Sequence, residues 1–452
     1  MRTFTFYSQK VAYYYFAASV LLFLLQIVFG LATVSQYVWP DFALNWMPFN
    51  VSRSIHINLL IFWMLLAIMG ATYYILIEEA GRELFSTKIA MIQLIIFCAA
   101  GVGAIVSYFF HYYDGQGLEY VEAAPVFDWM IVVAALLWLY NLTKTLYKAP
   151  TKSPINMLLL ITTIASILLY LPGMPYLRNF VVQDYPRWWV VHYWVEATWE
   201  MYETLFIGYL IIKLFDIPKE RMYRWFYIEF FLILASGILG MGHHYFWIGT
   251  PHYWTWVGSI FSVFEAVPPV AMMIDGLIYA RKSKIKVKNL PALYWLIGGT
   301  IGSFFGLTIL GGSITWFSVN YWMHGTELTA AHGHMAFFGA FAAIFIAFIY
   351  YALETRKGEE SFKNTITDKH RWAWAFWLMN IGMIMMVVAI AVLGLMQISI
   401  SRVAGQGYIA AQVHEIGWFV VWFVTGFVFL AGVVFYAYDF IVAMKGEKLL
   451  DK

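Results

Sequence analysis

The chain has 452 residues, of which 62% are hydrophobic, 20% aromatic and 12% charged. Soluble domains carry about 25% charged residues, so this composition excludes a soluble enzyme, a coiled coil and a disordered chain. A net charge of +2 lacks the basic excess that binding nucleic acid demands, which leaves a polytopic membrane protein whose surroundings are the lipid bilayer. A crossing helix needs about 20 mainly apolar residues. Twelve stretches meet that need, at 11–34, 55–77, 89–110, 127–147, 155–172, 188–212, 225–248, 256–280, 292–313, 326–352, 372–396 and 413–440. The first is too long for a signal-peptide core and shows no clear cleavage site, so it is expected to stay as a helix. The loops hold no room for a soluble domain. The expectation is an all-α bundle of twelve transmembrane helices, with 1–452 as one integral membrane domain.

Orientation follows from lysine and arginine. One set of loops and ends holds 24 of them, including the Arg281–Lys288 cluster, and the opposite set holds 4: Arg53, Arg178, Arg187 and Arg402. Both termini are therefore expected in the cytoplasm. The basic clusters read as topology determinants and headgroup contacts. The single cysteine, Cys98, rules out an internal disulfide, a C-x-x-C-H haem attachment and a cysteine-ligated iron–sulfur cluster. Inside an apolar run it reads as a small buried hydrophobe.

Ionisable groups inside a membrane are costly and default to functional hypotheses. Six of the 11 histidines fall in the expected helices: His56, His192, His243, His244, His332 and His334. With the orientation above, all six lie at one depth in the outer half of the membrane. One such histidine is more often a hydrogen-bonded core residue than a ligand. Six at one level, including an H-H and an H-x-H, point to metal or haem. Each helical residue turns ~100°. His332 and His334 then stand ~200° apart; they cannot share one metal and can serve two cofactors on opposite sides of one helix. His243 and His244 can converge on one ion, with His192 as a plausible third ligand. Glu196 lies four residues beyond His192 on the same face, and Glu200 one turn further. A carboxylate beside three imidazoles suits non-haem iron better than copper(I).

W-W-V-V-H-Y-W-V-E-A-T-W-E (188–200), G-H-H-Y-F-W-I-G (242–249) and H-G-T-E-L-T-A-A-H-G-H-M-A-F (324–337) resemble the haem–copper oxidase superfamily. The resemblance covers the whole chain and is greatest to the large catalytic subunits of cytochrome c-dependent nitric oxide reductases. P-F-N-V-S-R-S-I-H-I-N-L-L (48–60), G-L-E-Y-V-E (117–122) and F-S-V-F-E-A-V-P (261–268) fit it too. It implies that His56 and His334 are the axial ligands of a low-spin haem b and His332 the proximal ligand of a high-spin haem b. His192, His243, His244 and Glu196 would hold a non-haem iron. Glu200 and Glu265 resemble the buried glutamates that assist proton delivery and shape the binuclear site. Glu119 resembles the ligand of a calcium ion that bridges haem propionates. Arg53, one turn before His56, is placed to pair a propionate and equally suits an interfacial anchor.

The implied reaction joins two NO with two electrons and two protons to give N2O and water. The chain lacks C-x-x-C-H and the long N-terminal extension of single-chain quinol-dependent relatives. The resemblance therefore implies a membrane-anchored haem c subunit docked on the periplasmic face, in a bacterial or archaeal cytoplasmic membrane. Trp39, Trp46, Trp254, Trp256, Trp316 and Trp322 fit either that interface or the ordinary aromatic belt. The oxygen-reducing branch competes: there a tyrosine usually stands one turn after the first metal histidine, where this chain has Glu196. An NO-disproportionating branch and a histidine-rich transporter are further alternatives. Glu203, Asp275 and Glu327 match nothing in the pattern. The first two either begin an inner proton path or bond each other.

Overall fold

The computed structural model describes residues 6–110, 120–262 and 267–445. Two residues singled out above, Glu119 and Glu265, lie outside the described residues. All regular structure among the described residues is helical. In chain order the principal helices are α1 (Tyr7–Val38), α2 (Phe49–Ala80), α3 (Thr87–Phe109), α4 (Pro125–Tyr147), α5 (Pro154–Gly173), α6 (180–215), α7 (Lys219–Tyr245), α8 (Tyr253–Phe261), α9 (Val267–Lys282), α10 (Leu290–Thr315), α11 (Glu327–Lys357), α12 (Arg371–Val403) and α13 (Tyr408–Met444).

Their ends follow local chemistry. Ser86, Ser153 and Asn289 each accept a hydrogen bond from a backbone N–H in the first turn of α3, α5 and α10. Pro154 and Pro291 stand at the starts of α5 and α10, where a missing N–H costs nothing. Gly81, with φ +63°, closes α2 in the left-handed conformation.

Ten of these helices are long and apolar enough to cross a membrane by length and composition, among the described residues. Twelve were expected from the sequence, and the two that fall short have identifiable reasons. Helix α6 is long, but it carries Asp184, Arg187, Glu196, Glu200, Glu203 and Lys213. The stretch expected at 256–280 is described in two pieces, α8 and α9, on either side of 263–266.

Two helices lie at the centre. In α2 and α11 the apolar windows are 89% and 94% buried, against 50% or less in the other eight. These are the helices that carry His56 and the His332–His334 pair. Ionic contacts collect at one end of the bundle. There Lys213 pairs with Glu78, Lys219 with Glu79 at 2.6 Å, and Arg371 with Asp439 at 2.9 Å. Asp275 accepts from Arg221, Arg224 and Trp225 at 3.0, 2.9 and 3.1 Å. The Glu203–Asp275 bond weighed above therefore does not form, because two guanidinium groups hold Asp275 at the bundle rim.

Candidate metal and haem site

The metal cluster is assembled from α6 and the end of α7. His192, Glu196, His243 and His244 each direct one ligand atom to a common point, and these atoms all lie within 4.8 Å of one another. His192 and Glu196 sit in a π-turn segment of α6, Val190–Ala197. Its wider i→i+5 turns set residues four apart nearly in line. His243 and His244 occupy a tight 3-10 turn, Met241–Tyr245, and their ring centroids are 4.0 Å apart.

Hydrogen bonds select which nitrogen each ring offers. His192 Nε2–H donates to the Gly237 carbonyl at 2.8 Å, so its Nδ1 faces Glu196 Oε2 at 2.6 Å. Two acceptors that close need a proton or a cation between them, and this is the strongest local argument that the cluster fits a metal. His243 Nδ1 is bonded to Ser262 Oγ at 2.7 Å, which leaves Nε2 aimed at Glu196, 3.7 Å away. His244 Nε2 lies 3.5 Å from the same carboxylate, with Trp188 stacked on its ring at 4.9 Å. Such partners fix ring orientation and raise ligand basicity.

A separate cavity of about 460 Å3 lies between α2 and α11, with His56 and His334 in its wall. Its volume falls within the usual range for a cofactor pocket. Phe23, Trp63, Phe338, Trp422 and Phe429 give it an aromatic lining, and Arg53 and Glu327 are its charged members. His56 Nδ1–H donates to the Gln26 carbonyl at 2.8 Å and His334 Nδ1–H to the Ala330 carbonyl at 2.8 Å. Each Nε2 is then the acceptor nitrogen, as a haem axial ligand requires. A Cβ at Gly30 would stand 2.6 Å from His56 Cε1, so α1 reaches the ring only because position 30 is glycine. His332 does not line this cavity. Its Nδ1–H donates to the Gly306 carbonyl at 3.0 Å, and it lies within electrostatic reach of Glu196 on the metal-cluster side of α11.

Residues 10–435 match the family described as "Cytochrome C and Quinol oxidase polypeptide I". The chain belongs to the haem–copper oxidase family. It is an oxidoreductase of that family and is 36% identical over 96% of its length to a nitric oxide reductase subunit of Stutzerimonas stutzeri, covering 95% of that protein. It is 23% identical to the cbb3-type cytochrome c oxidase subunit CcoN1 of the same organism, over 97% of this chain and 95% of that one. A solved structure of a haem–copper terminal oxidase dimer has the same fold, with TM-score 0.76 at 15% identity, covering 97% of this chain and 84% of that one.

Within this haem–copper oxidase fold three of the six expected histidines lie in the metal cluster, two line the cavity, and His332 lies between them. Glu200 is buried one turn below the cluster, on the same helix. Arg53 lines the cavity, with Nη1 3.8 Å from Glu122 Oε1, and Asn58 holds the other Glu122 oxygen at 2.6 Å. His324 packs against Trp247, and its carbonyl accepts from Arg402.

Sequence reasoning missed Ser262, Glu122 and Gly30, and named Glu327 without a role. Ser262 stood in the quoted F-S-V-F-E motif, and a hydroxyl in that apolar run was a readable signal. Glu122 closed the G-L-E-Y-V-E motif. Nothing in the sequence marked Gly30, because its role depends on a helix 26 residues away in the chain.

Proposed function

We propose that the chain is the catalytic subunit of a nitric oxide reductase that converts two NO, two electrons and two protons to N2O and water. The observation that carries this reading is Glu196, a carboxylate within 3.7 Å of all three cluster imidazoles. That donor set suits iron, and a second iron in a high-spin haem on His332 would give two NO molecules a shared binding pocket. The 36% identity to the nitric oxide reductase of Stutzerimonas stutzeri supports it.

In this reading His56 and His334 would hold a low-spin haem b, and His332 a high-spin haem b. His192, His243, His244 and Glu196 hold the non-haem iron. Arg53 faces a haem propionate. Glu200 and Glu265 carry protons toward the cluster, and Glu119 supplies a calcium ligand beside the propionates. Bound iron supplies the redox change and an anchoring point for NO. The chain itself orients the imidazoles through Gly237, Ser262, Gly306, Gln26 and Ala330. Apolar walls exclude water. Twelve crossing helices, cytoplasmic termini, a periplasm-facing site and a membrane-anchored cytochrome c partner complete the reading.

The test is anaerobic incubation of the reduced, purified protein with NO, followed by gas and metal analysis. N2O as product, with iron and no copper in the protein, is the expected result. Copper in the cluster with O2 reduced to water would instead establish a terminal oxygen reductase.

A further inference from the structure

Below the metal cluster, α6 carries one carboxyl more than the proposed reaction needs. His192, Glu196, Glu200 and Glu203 are spaced by four, four and three residues, so they share one stripe of the helix. Glu203 lies about 10 Å from Glu196 along the axis, toward the Lys213 end. It is 0% exposed, and neither carboxyl oxygen has a partner in hydrogen-bonding geometry.

The groups around Glu203 narrow its role. From α10 the Ser303 hydroxyl faces it, itself fully buried and without a partner in hydrogen-bonding geometry. On α7 Glu229, also 0% exposed, accepts at Oε1 from the hydroxyl of Thr204, the residue after Glu203, at 3.2 Å. Asp275 on α9 is committed to Arg221, Arg224 and Trp225. An ionised carboxylate in such surroundings is strongly disfavoured, so the resting form is the neutral acid. The stripe then closes: Ile207, Leu210 and Ile211 follow, each apolar and 0% exposed. Along the stripe the next carboxyl lies toward the cluster, at Glu200.

We propose that Glu203 is the blind end of a carboxyl relay, storing one proton for the reaction and exchanging it with Glu200 rather than with the Lys213 end of the helix. This rests on the proton-consuming reduction proposed above. In the step, the Glu203 O–H bond breaks, the proton passes to the Glu200 carboxylate, and Glu203 is left as the carboxylate. Reprotonation from the Glu200 side reverses it, and no electron moves in either direction.

Two measurements on the intact, cofactor-loaded protein test it. In the reduced-minus-oxidised infrared difference spectrum, wild type should show the carbonyl stretch of a neutral carboxylic acid. That band should vanish in Glu203→Gln and shift in Glu203→Asp. In a single turnover with NO and a pH-indicator dye, wild type should take up one of the two protons from solution in step with product formation and the other after a lag. Glu203→Gln should lose that lag. A band unchanged by both substitutions, or an equal lag in wild type and Glu203→Gln, would overturn the proposal. Wild type that consumes no NO would sink the functional reading alone. The lag is then read with O2, and the infrared band still decides whether Glu203 holds the proton. Haem content equal to wild type confirms that each variant is folded.

Discussion

At Glu196 one carboxylate faces three imidazoles, and each ring is turned by a group outside the cluster. The sequence located these four residues because helical spacing is a local property. It did not locate Ser262, whose hydroxyl reaches His243 across 19 residues of chain. Removing such an orienting partner typically costs 10–100-fold in metal affinity or activity. Ser262→Ala should therefore weaken non-haem iron binding about 10–100-fold and leave the haem absorbance intact, as read by iron titration of the metal-depleted protein. Gly30 is the corresponding residue at the cavity. Gly30→Val would drive side-chain atoms into the His56 ring, 2.6 Å from where a Cβ would stand. The low-spin haem signature should be lost while the cluster iron stays, a split that optical spectra and metal analysis can read together.

At the scale of elements, the site is built where helices depart from α geometry. Periodicity of ~100° per residue predicted that His192 and Glu196 share a face, and they do. The segment is nevertheless a π-turn, and His243 and His244 stand in a 3-10 turn. Two further π-turn segments, Ile233–Gly237 and Phe304–Gly311, contain the carbonyls that accept from His192 and His332. Wider turns loosen the regular backbone ladder, which is one reason they gather at functional sites. Such departures depend on what packs against the helix, so composition does not show them. The 3-10 turn also rests on a close contact with α8. A Cβ at Gly258 would lie 2.3 Å from the His243 backbone nitrogen. Gly258→Val should displace both cluster histidines, and metal analysis should show the non-haem iron lost with both haems retained.

For the whole molecule, the deciding feature is that α2 and α11 are interior helices. Lipid offers no hydrophobic drive to bring helices together, so close packing at small residues does much of that work. Helices α10 and α11 cross where a Cβ on Gly339 would fall 2.3 Å from the Gly302 carbonyl carbon. Gly339→Val should force them apart at a cost of about 1–3 kcal/mol or more. The expected outcome is a lower thermal midpoint for haem release, with spectra near normal in the protein that remains folded. The same packing leaves Glu203 in a closed apolar stripe and holds Asp275 at the rim, which separates two acids that the sequence set side by side as candidates for one path.

The sequence by itself determined the membrane class, the helical content and the residues able to bind metal. These follow from apolar run length, charge placement and a 3.6-residue repeat, all of which are local. It also set His332 and His334 on opposed faces of one helix. Only the tertiary structure decided which nitrogen each histidine presents, because that depends on carbonyls and hydroxyls from other helices. It alone placed Glu327 in the cavity wall, made Gly30 indispensable to His56 and closed the stripe beneath Glu203. Each of these is a contact between segments far apart in the chain, and the geometry of such contacts is set by packing rather than by spacing.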